Sequence, residues 1–227
     1  MNRHQIICVW LICALLALIA CSSSSTTAVT SSSSTSTSSS SAKPYWNTAI
    51  SYGTLQDTRD SQSYRTVTIG SQTWMAQNLN YAPTNGVYGC YNDSTQYCAL
   101  YGKLYDWATA DSACPLGWHL PDTTEWDSLE ASVGGASIAG SKLKAMSGWT
   151  TADSGITNTD DYGFSALPAG YFTTAFFHAK DIGYWWTASD SASDNAYYRG
   201  LYYNTQVLKA INSFQTFAFS VRCVKNK

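Results

Sequence analysis

Residues 183–203, GYWWTASDSASDNAYYRGLYY, set aromatic rings beside carboxylates and amides. Two chemistries suit that mixture. Acidic and amide oxygens can ligate a cation, and rings flanked by hydrogen-bonding groups can stack on a hydroxyl-rich ligand. Read as an EF-hand loop, Asp190 and Asp194 fill positions one and five. Ala192 brings no oxygen to position three, Asn195 stands where glycine is required, and Leu201 replaces the closing glutamate. The stretch is therefore read as a ligand site without a cofactor, with calcium in another geometry as the alternative. The candidate ligand-binding residues are Trp185, Asp190, Asp194, Asn195 and Tyr198.

Strand parity divides the rings. Adjacent residues of a strand point to opposite faces. Trp186 goes with Tyr184 and Ala188 and is assigned to the core. Trp185 goes with Thr187 and Ser189 and is assigned to the exposed side. The competing reading is that every ring packs. Residues 160–164 are expected to join Asp190 to Asn195 in a set of outward loops.

Other chemistries lack their residues. The chain has no Gly-x-Ser-x-Gly elbow, no His-Glu-x-x-His pair and no phosphate loop. His119, in GWHLP, is read as a packed or surface side chain. Of the only glutamates, Glu125 and Glu130, the first is better explained as a helix cap than as half of a glycosidase pair. No enzyme activity is assigned.

The N-terminus, MNRHQIICVWLICALLALIAC, joins a short basic segment to an apolar run too short to span a bilayer comfortably. LIAC resembles a lipobox, which implies a signal peptide over residues 1–20 and lipid on Cys21. Ser22, in place of Asp, favours the outer membrane. Positions 22–41 are Ser or Thr except for Ala28 and Val29. Such a tract cannot offset its ordering entropy by apolar burial and is expected to stay disordered, a coil of roughly 25 Å root-mean-square span. Residues 21–44 are thus read as a lipidated stalk and 45–227 as one domain.

Without Arg3 the formal charge falls from −2 to −3, and charged residues make up 12% of the chain, about half the usual share. No basic patch offers a footprint for nucleic acid. A surface built from Ser, Thr, Asn, Gly and Tyr suits an exported protein with uncharged ligands.

Four cysteines remain after processing: Cys90, Cys98, Cys114 and Cys223. In an exported protein they imply disulfides. Cys90 and Cys98 flank the turn-rich YNDSTQY, which reads as a hairpin closed by a local bridge and leaves Cys114 for Cys223. A zinc site lacks Cys-x-x-Cys spacing.

The positioning elements follow from pattern. YRTVTIGSQTWMAQNLN reads as a β-hairpin turning at Gly70-Ser71. DTTEWDSLEASVGG reads as a helix capped by Asp122 and Glu125, with Trp126, Leu129 and Val133 on one face. IAGSKLKAMSGW suggests a second helix. In FAFSVRCV, Phe217, Phe219, Val221 and Cys223 share the apolar face of a strand. AYYRGLYY is aromatic on both faces and reads as a central strand.

Taken in order, DTRDSQSYRTVTIGSQTWMAQNLNY, YGKLYDWATADSACPLGWHLP, TEWDSLEASVGG, GSKLKAMSGW, DYGFSALPAGY, YWWTASDSASDNAYYRGLYY and FSVRCV resemble the Fibrobacter succinogenes major paralogous domain, or FISUMP. The likeness runs from about Asp57 to Lys227. WWTAS and SVRCV are also similar to C-type-lectin-like domains, although the Glu-Pro-Asn and Gln-Pro-Asp signatures are absent. The resemblance implies an α+β fold: a single C-type-lectin-like domain of two short helices on a twisted, mainly antiparallel sheet, loop-rich and disulfide-bonded. It implies a helix-proximal cysteine bonded to the last strand, as proposed for Cys114 and Cys223, and a place in bacterial envelope proteins.

The expected function is a surface-displayed binding module for carbohydrate or a partner surface protein. The alternatives are an envelope interaction domain with no small ligand and a polysaccharide hydrolase. Replacement of Cys21 by Ala should release the protein from membranes or leave it unprocessed, as read by fractionation. A variant processed and anchored like the wild type contradicts the lipobox.

Overall fold

The computed structural model describes residues 45–153 and 155–227; the signal segment, Cys21 and the Ser/Thr tract lie outside the described residues. The N-terminal hairpin forms as its alternation demands. Strands β2 (Ser63–Ile69) and β3 (Gln72–Met75) pair antiparallel, with Val67 opposite Trp74. Gly70 turns at φ 60°, and a Cβ there would lie 2.4 Å from Ser132 Oγ. Backbone conformation and space both require glycine. With β1 (Gly53–Gln56), β6 (Trp118–His119) and β13 (Val224–Lys225) the hairpin makes a sheet of order β1-β2-β3-β13-β6.

The second sheet has the order β11-β10-β9-β12-β5-β4. Its members are β4 (Tyr88–Gly89), β5 (Leu104–Tyr105), β9 (Ile182–Ala192), β10 (Asn195–Tyr202), β11 (Lys209–Phe214) and β12 (Phe219–Ser220). Its pairings are antiparallel except β12 with β9. The aromatic strand β10 is flanked on both sides, as its pattern implied. A two-stranded hairpin, β7 (Tyr171–Phe172) with β8 (Phe176–Phe177), is bridged to the chain entering β12, where Phe172 and Ala218 exchange backbone hydrogen bonds at 3.0 and 2.9 Å.

Four α-helices occur among the described residues, two more than expected. The two expected are α3 (Thr123–Ser132) and α4 (Ala136–Leu143). Asp122 Oδ1 accepts from the Glu125 N–H at 2.8 Å and Glu125 Oε2 accepts from the Asp122 N–H at 3.1 Å, a complete capping box. The two not expected are α1 (Thr95–Tyr101) and α2 (Trp107–Ala113). Asp106 caps α2 through the Thr109 N–H. The segment between Cys90 and Cys98 is therefore a helical turn entering α1, not a hairpin. Asn92 and Asp93 take left-handed backbone conformations there, and Tyr97 stacks on Tyr101 one helical turn on, centroids 5.8 Å apart.

The disulfides pair Cys90 with Cys98 and Cys114 with Cys223, as expected. The second closes a loop of 109 residues, worth about 4–5 kcal/mol in the chain-entropy account. It ties the end of α2 to the last turn of chain before β13.

The second sheet is buried on both faces. On one lie Tyr184, Trp186, Tyr198 and Phe219, with Trp186 and Phe219 centroids 4.2 Å apart. Val221 and Cys223 join this cluster, and the parity read for Phe219, Val221 and Cys223 holds. On the other face Trp185 and Leu201 pack with Trp74, Trp126 and Phe164. Trp74 and Trp126 centroids are 4.9 Å apart.

The second cluster encloses polar groups. Asn78 Oδ1 accepts from Trp185 Nε1 and from Arg222 Nε, both at 2.9 Å, and its Nδ2 donates to Tyr101 O at 2.8 Å and Ser220 Oγ at 3.3 Å. Arg222, fully buried, also donates to the carbonyls of Met75, Phe164 and Ser165. Its guanidinium lies 4.3 Å from the Phe164 ring centre. Burial lowers its pKa to about 9. Asp160 is equally buried and accepts from Ser165 N–H and Oγ, each at 2.7 Å, and from Asn47 N–H at 3.2 Å. Burial pushes its carboxyl up to about 6.

Two outcomes follow. Replacement of Asn78 by Leu strands the Trp185 and Arg222 donors and should cost about 3–5 kcal/mol in urea unfolding. A loss below about 1 kcal/mol contradicts the account. Asp160 has a folded-state pKa above its ordinary value, so its stabilising protonation is complete below about pH 3.8 and is lost as pH rises through about 6. Between pH 4 and pH 7 the wild type should therefore lose about 2 kcal/mol relative to Asp160→Asn. Parallel pH profiles for the two proteins contradict it.

Candidate functional site

The residues singled out in 183–203 do not converge. Asp190 to Asn195 form the end of the β9–β10 hairpin, not a free loop; Ser193 and Asp194 make its turn. Asp190 and Asp194 are exposed there and Asn195 is half-buried. The Asp194 and Asn195 carbonyls accept from Gln215. Trp185 and Tyr198 are in neither case available. Trp185 is 0% exposed and Tyr198 7%, and they belong to cores on opposite faces of the sheet.

The assignment of Trp185 to an open face is thus corrected. Its parity neighbours are polar, but their hydroxyls are satisfied beneath other chain. Thr187 Oγ1 donates to Tyr197 O at 3.0 Å, and Ser189 Oγ meets the Thr123 N–H at 3.1 Å at the start of α3. Polar residues on that face mark a helix seated on the sheet, not solvent. Residues 160–164 are corrected likewise: Asp160 and Phe164 are buried and brace the core.

Several titratable groups are committed to structure. Asp57 pairs with Arg59, whose guanidinium lies 3.7 Å from the Tyr81 ring centre. Asp127 pairs with Arg199. His119 Nε2 lies 2.9 Å from Glu125 Oε2, and its Nδ1 lies 2.7 Å from Asn226 Oδ1. Lys144 is buried with its ammonium on the Tyr202 and Thr205 carbonyls at 2.9 Å, and burial lowers its pKa to about 8. Among the described residues no three His, Cys, Asp or Glu side chains are grouped to hold a metal ion.

A different region has the makings of a site. A cleft of about 280 Å³ opens between Tyr45, Trp46, Gln62, Gln77 and Asn80. The Arg65 guanidinium holds the Trp46 ring from 3.9 Å. Gln77 Oε1 accepts from the Arg65 N–H at 2.7 Å, which fixes the side chain and leaves its NH2 for the cleft. Asn80 is fixed in the same way by Lys103 Nζ on Oδ1 at 3.0 Å. A neighbouring cleft of about 580 Å³ adds Gln96, Tyr97, Trp149 and Lys180. Trp149 Nε1 donates to Ala166 O at 2.9 Å, which sets the ring plane. Half-buried rings with fixed orientation, bordered by amides whose spare donors face solvent, are suited to flat, hydroxyl-rich ligands.

None of these residues was singled out from sequence, although the signal was present: YWN at 45–47 and the amide-rich AQNLNY at 76–81. The second run had been read only as the return of a hairpin.

Among the described residues no helix is long and apolar enough to cross a membrane. No curated protein and no solved structure matches the chain. The profile of the Fibrobacter succinogenes major domain matches residues 67–225, well over half of the chain, and includes β3, both disulfide-bonded segments, α3 and the β9–β10 hairpin. The protein belongs to the Fibrobacter succinogenes major domain family.

Proposed function

We propose that the protein is a lipid-anchored module of the bacterial cell envelope, held at the outer membrane through Cys21, that binds carbohydrate in the cleft between Tyr45, Trp46, Gln77 and Asn80. The observation that carries this reading is the pairing of oriented aromatic rings with uncharged amides in a cleft that has no carboxylate on its wall among the described residues. Sugars present apolar ring faces and hydroxyls together, and both find partners there. The C-type-lectin-like reading of the fold is part of the same proposal. Its support is the bond from Cys114, just before the long capped helix, to Cys223 near the last strand. The Ser/Thr tract would hold the domain off the membrane, and many copies on one surface would raise weak single-site affinity.

A partner protein is the second reading, favoured by edge strand β11, where Phe214 is 57% exposed. A glycan array probed with the full chain separates the two. The proposal expects defined hits that weaken at least tenfold in Tyr45→Ala and in Gln77→Leu, with unfolding midpoints close to wild type. An array without hits, or hits indifferent to both substitutions, overturns it.

A further inference from the structure

Resting on the carbohydrate reading, the arrangement of the clefts says what shape of carbohydrate they take. Tyr45 and Leu100 line both the first and the second cleft. Trp149 lines the second and also a third, of about 190 Å³, where Thr150, Thr157, Asn158 and Tyr203 stand. Each depression therefore shares a wall with the next, and the row of three is the candidate trough. An aromatic ring marks each junction, Tyr45 at the first and Trp149 at the second.

Two more observations bear on the occupant. Of the residues lining the trough, Lys180 alone is charged. In the third cleft Asn158 Oδ1 is a buried acceptor with no partner among the described residues. An acceptor of that kind calls for a donor, and a sugar hydroxyl supplies one. A closed pocket would fit one terminal sugar. A trough with a ring at each junction fits successive units of a chain, each unit stacking while its hydroxyls meet amides and threonines on the walls.

We infer that the trough binds an unbranched, neutral polysaccharide along its length and reads internal units, not a chain end. Each ring adds its own increment, so affinity grows with the number of units until the trough is filled. A uronate-rich chain is not the fit, because among the described residues Lys180 is the one charged side chain in the lining, and the nearby Arg65 and Lys103 are engaged by Trp46 and Asn80.

The test uses the full chain purified in a detergent without a sugar headgroup. It is titrated calorimetrically with gluco-, xylo- and manno-oligosaccharides of one to six units and with oligogalacturonates of the same lengths. In at least one neutral series affinity should climb from the monomer to the trimer or beyond, about tenfold for each newly engaged ring, equivalent to about 1.4 kcal/mol. Trp149→Ala should lower hexamer affinity about tenfold and flatten the length dependence. If that variant does not fold by circular dichroism, Tyr97→Ala in the middle cleft replaces it. Equal affinity for monomer and hexamer overturns the trough and leaves the carbohydrate reading standing. Preference for the oligogalacturonates overturns the neutral ligand. Absence of binding in every series overturns both.

Discussion

Asn78 has its whole side-chain hydrogen-bonding capacity spent inside the protein. Two donors, the Trp185 indole and the Arg222 guanidinium, converge on its oxygen, and its nitrogen reaches Tyr101 and Ser220. Buried polar groups are tolerated only when paired, and a partly satisfied set is worse than an apolar one. The network therefore fixes which segments lie together: the chain after β3, the C-terminus of α1, strand β9 and the residues just before β13. The neighbouring backbone follows, with Leu79 N–H on Val221 O at 2.9 Å and Met75 N–H on Cys223 O at 3.0 Å. Arg222 extends the constraint to Phe164 and Ser165, and Asp160 carries it on to Asn47.

The trough is a consequence of that arrangement. Asn78 lies at the back of its first cleft, and the flanking amides Gln77 and Asn80 project from the same short run. The Asp160 contact to Asn47 holds the chain next to Tyr45 and Trp46, so the ring-bearing entry segment is set by a buried carboxylate from a distant part of the chain. Trp149 is positioned by Ala166, which lies next to the Ser165 that Arg222 and Asp160 both engage. The polar core and the cleft walls thus share the same short runs of chain. A change at Asn78 or Asp160 is expected to act on binding through position and not through contact.

Much of the architecture was legible because it obeys local rules. The β2–β3 hairpin has alternation and a glycine turn, α3 has its capping box, and Cys223 falls on the apolar side by parity. The equal and opposite placement of Trp185 and Trp186 was legible too. What misled was the inference from polar neighbours to solvent. Thr187 bonds across the hairpin to Tyr197 and Ser189 bonds to Thr123, far away in sequence, and no local pattern announces a helix terminus lying on a strand. Burial of Arg222 was hidden for the same reason: in FAFSVRCV it alternates as an outward residue should, yet its hydrogen-bond acceptors on Met75, Asn78, Phe164 and Ser165 all lie more than fifty residues distant. The walls of the clefts were hidden because their members are scattered from Tyr45 to Tyr203 and only the folded chain assembles them.

The central claim is that the aromatic stretch of β9 is held inward by Asn78. Hydrogen exchange at the Trp185 indole N–H measures it directly. A proton shared with Asn78 Oδ1 in a dry core exchanges only when the domain unfolds, so its protection should match the free energy of global unfolding and the slowest β9 amides. An indole proton that exchanges within seconds, while the β9 amides stay protected, would show Trp185 opening to solvent and would contradict the account.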